Sequence, residues 1–321
     1  MPDGRTIRIG TRGSPLARAQ TDAVVARLRG LGLAVEVETI TTVGDVRTDV
    51  PIAGIVHEPG GADGVFVREL ERALLDGRID AAVHSLKDLP TAVPEGLAIG
   101  CVPERVMPFD VLVGQPGMTL ATLPAGAVVG TSSVRRVVQV KALRPDLTVK
   151  PIRGNVDTRL RKLDAGECDC LILAGAGLQR LGLAERITAV LAPPLFWPAV
   201  AQGAVAVEIR AADIAMRRAV AVLDDAAAHR AIRAERACLA ALAGGCLAPI
   251  GAWARTHGDR LALGAVVFEE HAGEVRSVSA EREVAVAAEQ PESLGLRVAD
   301  ALCEAGATDM LRRMRGEMSP S

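Results

Sequence analysis

The chain has 321 residues, 49% hydrophobic and 24% charged, with a formal net charge of −2. Such a length leaves room for two or three domains, since one core rarely grows beyond about 250 to 300 residues, and the balanced charge excludes a protein built for non-specific nucleic-acid binding. The N-terminus Met1-Pro-Asp-Gly-Arg-Thr-Ile-Arg-Ile9 has no apolar signal core, and no stretch reaches the roughly 18 uninterrupted apolar residues of a membrane span, so a cytoplasmic protein without a membrane partner is expected.

In chain order, residues 6–11 read as a strand and 15–30 as a helix opened by Ser14, with proline in its first turn. Residues 34–40 read as a second strand. The stretch 41–64 holds glycine and proline without any hydrophobic period, which suits a long loop over a site. An amphipathic helix at 65–75 and a buried-type strand at 79–83 follow. Strands at 127–130 and 171–174 flank a helix at 134–143. This alternation is that of an α/β architecture with mostly parallel sheets.

Two proline-bearing connections, 103–108 and Pro193-Pro-Leu-Phe-Trp-Pro198, look like paired chain crossings that bracket an inserted segment. After Asp213 alanine-rich helical signals run to about Leu242. Strand-like runs at 250–254, 261–268 and 275–280 come next, and then a helix from Glu292. The expected division is therefore 1–103 with 201–217, a second α/β lobe at 104–200, and a smaller α+β domain at 218–321. Cysteines at 101, 168, 170, 238, 246 and 303 follow neither a disulfide framework nor paired zinc spacing, and read as reduced thiols. Cys168-Asp-Cys170 reads as small buried side chains at a strand edge.

The basic residues comprise 33 arginines and four lysines, so a single arginine says little and Lys87 says more. In Ala81-Ala-Val-His-Ser-Leu-Lys-Asp-Leu-Pro90 an apolar strand delivers His84, Ser85, Lys87 and Asp88 to its carboxyl end, the edge where open α/β sheets bind ligands. A structural Lys87–Asp88 ion pair is the bland alternative. In Gly130-Thr-Ser-Ser-Val-Arg-Arg136 glycine closes a strand and Ser132 or Ser133 caps a helix, leaving backbone N–H groups at its positive end. Arg135 and Arg136 in that first turn have the wrong sign for the helix dipole, which a bound anion would correct.

Arg153-Gly-Asn-Val-Asp-Thr-Arg159 repeats the design with Asn155 as cap. Gly10-Thr-Arg-Gly-Ser-Pro15 supplies Arg12 and Ser14 at a third strand end, and Arg180 lies late in a short helix. Arginine's planar fork binds a carboxylate through two parallel hydrogen bonds, so several forks imply several carboxylates. Solvated surface arginine is the alternative for each. Finally, Leu242-Ala-Gly-Gly-Cys-Leu-Ala-Pro-Ile-Gly251 sets Cys246 in a glycine-flanked turn between helix and strand, within reach of an electrophile. An inert buried thiol is the alternative there, and the five histidines show no arrangement that would make Cys246 a protease or acyl-transfer nucleophile. A non-catalytic anion-binding protein and a transferase using Cys246 at every turnover remain open on these residues.

Taken in order, Thr11-Arg-Gly-Ser-Pro-Leu-Ala17, Val83-His-Ser-Leu-Lys-Asp88, Gly130-Thr-Ser-Ser-Val-Arg-Arg136, Arg153-Gly-Asn-Val-Asp-Thr-Arg159, Pro198-Ala-Val-Ala-Gln-Gly-Ala204 and Gly244-Gly-Cys-Leu-Ala-Pro-Ile-Gly251 closely resemble the hydroxymethylbilane synthase family, also called porphobilinogen deaminase. The resemblance runs nearly end to end. It implies two α/β lobes like those of periplasmic binding proteins, with a cleft, and a third domain bearing a cofactor loop. It also implies a transferase of tetrapyrrole (haem-type) biosynthesis that joins four porphobilinogen molecules head to tail with loss of ammonia, then releases hydroxymethylbilane by hydrolysis.

The primer would be a dipyrromethane cofactor joined by a thioether to Cys246, and Asp88 would be the catalytic carboxylate with Ser85 and Lys87 around it. Arg12, Ser14, Thr131, Ser132, Ser133, Arg135, Arg136, Arg153, Asn155, Arg159, Arg180 and Gln202 match cofactor- and substrate-contacting positions. No metal and no second chain are implied. One departure stands out. Where many relatives read Gly-Gly-Lys-Gly, this chain has Gly61-Ala-Asp-Gly64 before Val65-Phe66, so an acid replaces a base; Phe66 matches and lies either near the pyrroles or in the core.

Overall fold

A computed structural model describes residues 5–42, 67–242 and 248–314. The chain forms two compact units, residues 1–106 with 203–229 and residues 107–202 with 230–321.

In the first unit β1 (Ile7–Thr11) turns directly into α1 (Pro15–Gly30). Ser14 is the N-cap, its Oγ accepting from the Ala17 N–H at 3.3 Å, and Pro15 fits the first turn, where no N–H is needed. β2 (Val35–Thr39) returns parallel to β1, with Ile7 opposite Val35. Then come α2 (Arg68–Leu75), β3 (Ala81–Ser85), β4 (Leu97–Cys101) and, after the other unit's first stretch, β10 (Val205–Arg210) and α6 (Ile214–Ala221). The sheet order is β2-β1-β3-β10-β4, with β10 antiparallel to both neighbours.

Both faces of this sheet are covered, which is why its central strands are almost continuously apolar. On one face Ile7, Ile9 and Val207 pack with Val24 and Leu28 of α1 and Val220 of α6. On the other, Ala82 and Ile79 pack with Leu70 and Leu74 of α2. Full burial of each such large side chain stabilises by about 1.5 to 3 kcal/mol.

The second unit repeats the plan. β5 (Asp110–Val113), β6 (Val128–Gly130), α3 (Val134–Leu143), β7 (Thr148–Lys150), α4 (Val156–Asp164), β8 (Cys170–Ala174), α5 (Gly175–Arg180) and β9 (Ala189–Leu191) build a sheet of order β7-β6-β8-β5-β9. β5 is antiparallel to both neighbours. Both five-stranded sheets are therefore mixed, where the alternating pattern had pointed to mostly parallel ones. The thiols of Cys168 and Cys170 are buried here, and burial pushes that of Cys170 up to about 12.

The same unit holds most of α7 (Ala226–Ala241) and the antiparallel meander β11 (Ile250–His257), β12 (Arg260–His271) and β13 (Glu274–Ala285), followed by α8 (Pro291–Glu304) and α9 (Ala307–Met314). Trp197 joins the meander to the five-stranded sheet, packing with Val138 of α3 and with Val266 and Phe268 of β12. Glycines make room for it: a Cβ on Gly251 would lie 2.5 Å from the Trp197 Cβ, and one on Gly264 would lie 2.6 Å from its ring. Segments expected as second and third domains thus share one compact unit. Among the described residues no helix is long and apolar enough to cross a membrane.

Candidate active site

In the first unit two parallel neighbours, β1 and β3, end on the same sheet edge, with Gly10 opposite Ala82. Past the end of β1 come Arg12 and the cap Ser14, both half-buried. Past β3 the chain makes a single 3-10 turn, Leu86–Asp88, pinned by the buried Leu86 and by its N–H to the Ala204 carbonyl at 3.0 Å. That turn leaves Ser85, Lys87 and Asp88 half-buried at the edge, whereas His84 is buried within β3. The Ser85 hydroxyl lies 2.9 to 3.0 Å from both polar atoms of the Gln20 side-chain amide, which α1 buries against the strand. Gln20 is a supporting residue that the sequence reading missed; a glutamine inside the apolar face of a helix was the available signal.

In the second unit β6 and β7 likewise deliver their carboxyl ends to helix starts. Ser133 is the N-cap of α3 and Asn155 that of α4, both in extended backbone conformation, and neither side chain makes the capping bond. Of the two serines considered, Ser133 holds the cap position, while Ser132 donates to the Ile152 carbonyl at 3.0 Å. The buried Thr131 accepts from the Ser133 N–H at 3.3 Å. Arg180 is the last residue of α5, half-buried. Arg153 is half-buried just before Gly154, whose φ of +111° only glycine adopts readily.

Arg159 shows the clearest electrostatic signature. Its Nε–H donates to the Gly154 carbonyl at 2.7 Å, the one hydrogen bond of its side chain among the described residues. Desolvation first, then the like charges of Arg136 and Arg153, pull its pKa down to about 10. A desolvated cation among cations is unfavourable until an anion joins it.

Arg135 and Arg136 are placed differently from the simple expectation of open forks. Both are 6% exposed and both bind Asp110, itself 0% exposed at the start of β5. Arg135 donates from Nη1 to Asp110 Oδ2 at 2.7 Å, and from the same nitrogen to the Trp197 carbonyl. Arg136 donates to Asp110 Oδ1 from Nη2 at 2.7 Å and Nε at 3.1 Å, and from Nη1 to the Ile172 carbonyl at 2.9 Å. Gln202, also buried, adds its amide to Oδ1 at 3.0 Å and to the Pro108 carbonyl at 2.9 Å. Burial alone would push the Asp110 carboxyl up; the two guanidinium charges and their hydrogen bonds outweigh it and hold it well below the usual range. Nothing in the sequence reading had singled out Asp110.

Cys246, the Gly61-Ala-Asp-Gly64 stretch and Phe66 lie outside the described residues. The helix and strand expected on either side of Cys246 are α7 and β11.

Residues 7–218 match the family described as porphobilinogen deaminase, dipyromethane cofactor binding domain, and residues 229–304 match the porphobilinogen deaminase C-terminal domain. The chain belongs to the porphobilinogen deaminase family. It is 48% identical over 308 residues to the porphobilinogen deaminase of Roseiflexus castenholzii, covering 95% of this chain and 98% of that one. With the porphobilinogen deaminase of Desulforudis audaxviator it shares 47% over 313 residues, covering 97% and 98%. Among solved structures, the methionine binding protein MetQ aligns with a TM-score of 0.45 at 14% identity, over 69% of this chain and 90% of that one.

Family membership brings with it a dipyrromethane cofactor, a group that carries carboxylates. The residues present fit it: Arg159 is a desolvated cation beside the like charges of Arg136 and Arg153, a place that an acidic side arm would complete.

Proposed function

We propose that this chain deaminates porphobilinogen and joins four molecules head to tail on a dipyrromethane held by a thioether to Cys246, then releases hydroxymethylbilane by hydrolysis. The observation that most supports this reading is the cationic cluster around Arg159, because substrate and primer alike bear acetate and propionate groups. When bound, the dipyrromethane supplies the free pyrrole α-carbon to which the first substrate is joined.

The chain's own residues then have separable tasks. Asp88, at the half-buried end of β3, accepts hydrogen bonds from pyrrole N–H groups, offsets the positive charge that develops on the substrate as ammonia departs, and helps to move the proton released on bond formation. Lys87 and Ser85 shape its surroundings, and Gln20 keeps the Ser85 hydroxyl in place. Arg12, Arg135, Arg136, Arg153, Arg159 and Arg180, with Ser14, Thr131, Ser132, Ser133, Asn155 and Gln202, hold and orient carboxylates. Cys246 is a permanent anchor, not a nucleophile regenerated at each turnover. In the same reading the protein is a cytoplasmic monomer divided into a lobe at 1–103 with 201–217 that carries Asp88, an anion-binding lobe at 104–200 and a cofactor-bearing domain at 218–321.

Intact mass tests this directly. The purified protein should carry two linked pyrroles, an addition absent from Cys246→Ala. Asp88→Asn should keep that addition while losing about 10²- to 10⁴-fold in turnover, the usual span for a general acid–base group. An unmodified yet active protein, or Asp88→Asn turnover within a few-fold of the parent, would overturn the corresponding assignment.

A further inference from the structure

We infer that Asp110 is a positioning residue for carboxylate binding, and that Arg135 and Arg136 divide the work between them. Two guanidinium groups and one carboxylate are buried together at the carboxyl edge of the β6–β8 pair. The arrangement keeps one net positive charge in a desolvated place, which favours one further carboxylate.

The donors used show which arginine receives it. Arg136 spends its Nε and Nη2 edge on Asp110 Oδ1 and its Nη1 on the Ile172 carbonyl. Its planar fork is therefore closed, and its charge chiefly balances Asp110. Arg135 is anchored through Nη1 alone, to Asp110 Oδ2 and the Trp197 carbonyl. Its Nε and Nη2 make no hydrogen bond among the described residues, leaving the two-pronged edge that matches a carboxylate. Long arginine side chains lose much rotamer freedom on binding, and a guanidinium already fixed at one end has less to lose. Gln202 and Gln139 complete the clamp: Gln202 bonds Asp110, while Gln139 bonds the Trp197 carbonyl at 3.1 Å and the Trp197 N–H at 2.6 Å.

This inference rests on the proposed function, and its test separates the two. Apo-protein is given porphobilinogen, and intact mass follows the rate at which the two-pyrrole addition appears. Asp110→Asn keeps size and one acceptor but loses the charge that fixes both guanidiniums. Its folded fraction, verified by thermal melting, should acquire the addition at least about tenfold more slowly, and the double variant Asp110→Asn with Arg135→Gln should match Arg135→Gln within about twofold, since the two act as one unit. Asp110→Glu, which keeps the charge, should recover part of the rate, and it enters the same cycle if Asp110→Asn does not fold. Losses that simply add, or an Asp110→Asn protein that loads at the parent's rate, overturn the positioning role. A parent protein that gains no mass overturns the proposed function instead.

Discussion

The two five-stranded sheets are copies of one plan, yet they treat a buried acid in opposite ways. Each places an antiparallel strand fourth in order, β10 in the first and β5 in the second, and each of those strands buries a carboxylate, Glu208 and Asp110. Asp110 lies opposite Ala174, the last residue of β8, at the edge where the parallel strands end. Glu208 lies opposite Ala82, near the start of β3 and away from that edge. Asp110 is fully bonded by two arginines and a glutamine. Among the described residues Glu208 has the buried His84, whose Nε2 comes within 3.1 Å of Oε2 without hydrogen-bond alignment, and Glu71 of α2 nearby. One scaffold therefore carries an acid that organises cations at the carboxyl edge of its sheet, and another that sits among titratable neighbours inside the fold.

Removing each acid would break the symmetry most visibly. Asp110→Leu strands two buried guanidinium groups and should destabilise by about 3 to 5 kcal/mol in urea unfolding, whereas Glu208→Gln, which replaces a poorly bonded carboxyl by an amide of the same shape, should change stability by less than about 1 kcal/mol. Similar losses at both sites would erase the distinction.

The pH dependence of stability should run in opposite directions. Asp110 is ionised in the fold below its ordinary pKa of about 3.9, so the stability it contributes is present above that value and lost as pH falls through its depressed one. For Glu71, burial first and then Glu208 raise the carboxyl pKa, with His84 partly opposing. Its stabilising protonated form is fully present below about 4.3 and lost as pH rises through the raised value, because the folded state there holds the proton more tightly. Urea titrations across pH should show that decline flattened in Glu71→Gln; an unchanged profile would remove Glu71 from the account.

The helix starts offer the smallest contrast. Ser14→Ala removes a made cap and should reduce stability by about 0.5 to 2 kcal/mol, while Ser133→Ala and Asn155→Ala, whose side chains make no cap bond, should cost only a few tenths by thermal melting. If all three cost the same, those two side chains are not held in reserve for a ligand.

Much of this was legible in the sequence, for reasons that also explain the gaps. The bounds of α1 and α3 follow from cap residues and apolar spacing, and the edge positions of Asp88, Arg153 and Arg159 follow from polar residues crowded behind apolar runs. β5 and β10 escaped notice. Residues 110–113 form a four-residue strand buried on both faces, directly after a proline-bearing connection, and residues 205–210 are buried almost throughout, so neither has a period to read. Their antiparallel pairing depends on partners far along the chain. Missing β5 meant missing Asp110, and without it Arg135 and Arg136 looked like two equivalent forks. Local pattern reports which residues reach an edge; it does not report which of them another part of the chain has already claimed.

The berth that Gly251 and Gly264 leave for Trp197 fixes how firmly the meander is held. β11 begins at Ile250, shortly after Cys246, and the indole wedges that strand and its neighbour against the sheet that carries the arginines. The start of β11 is thus held against the indole and cannot shift without displacing it. A side chain added at either glycine would meet the indole and push the strand away from it, loosening meander and sheet together.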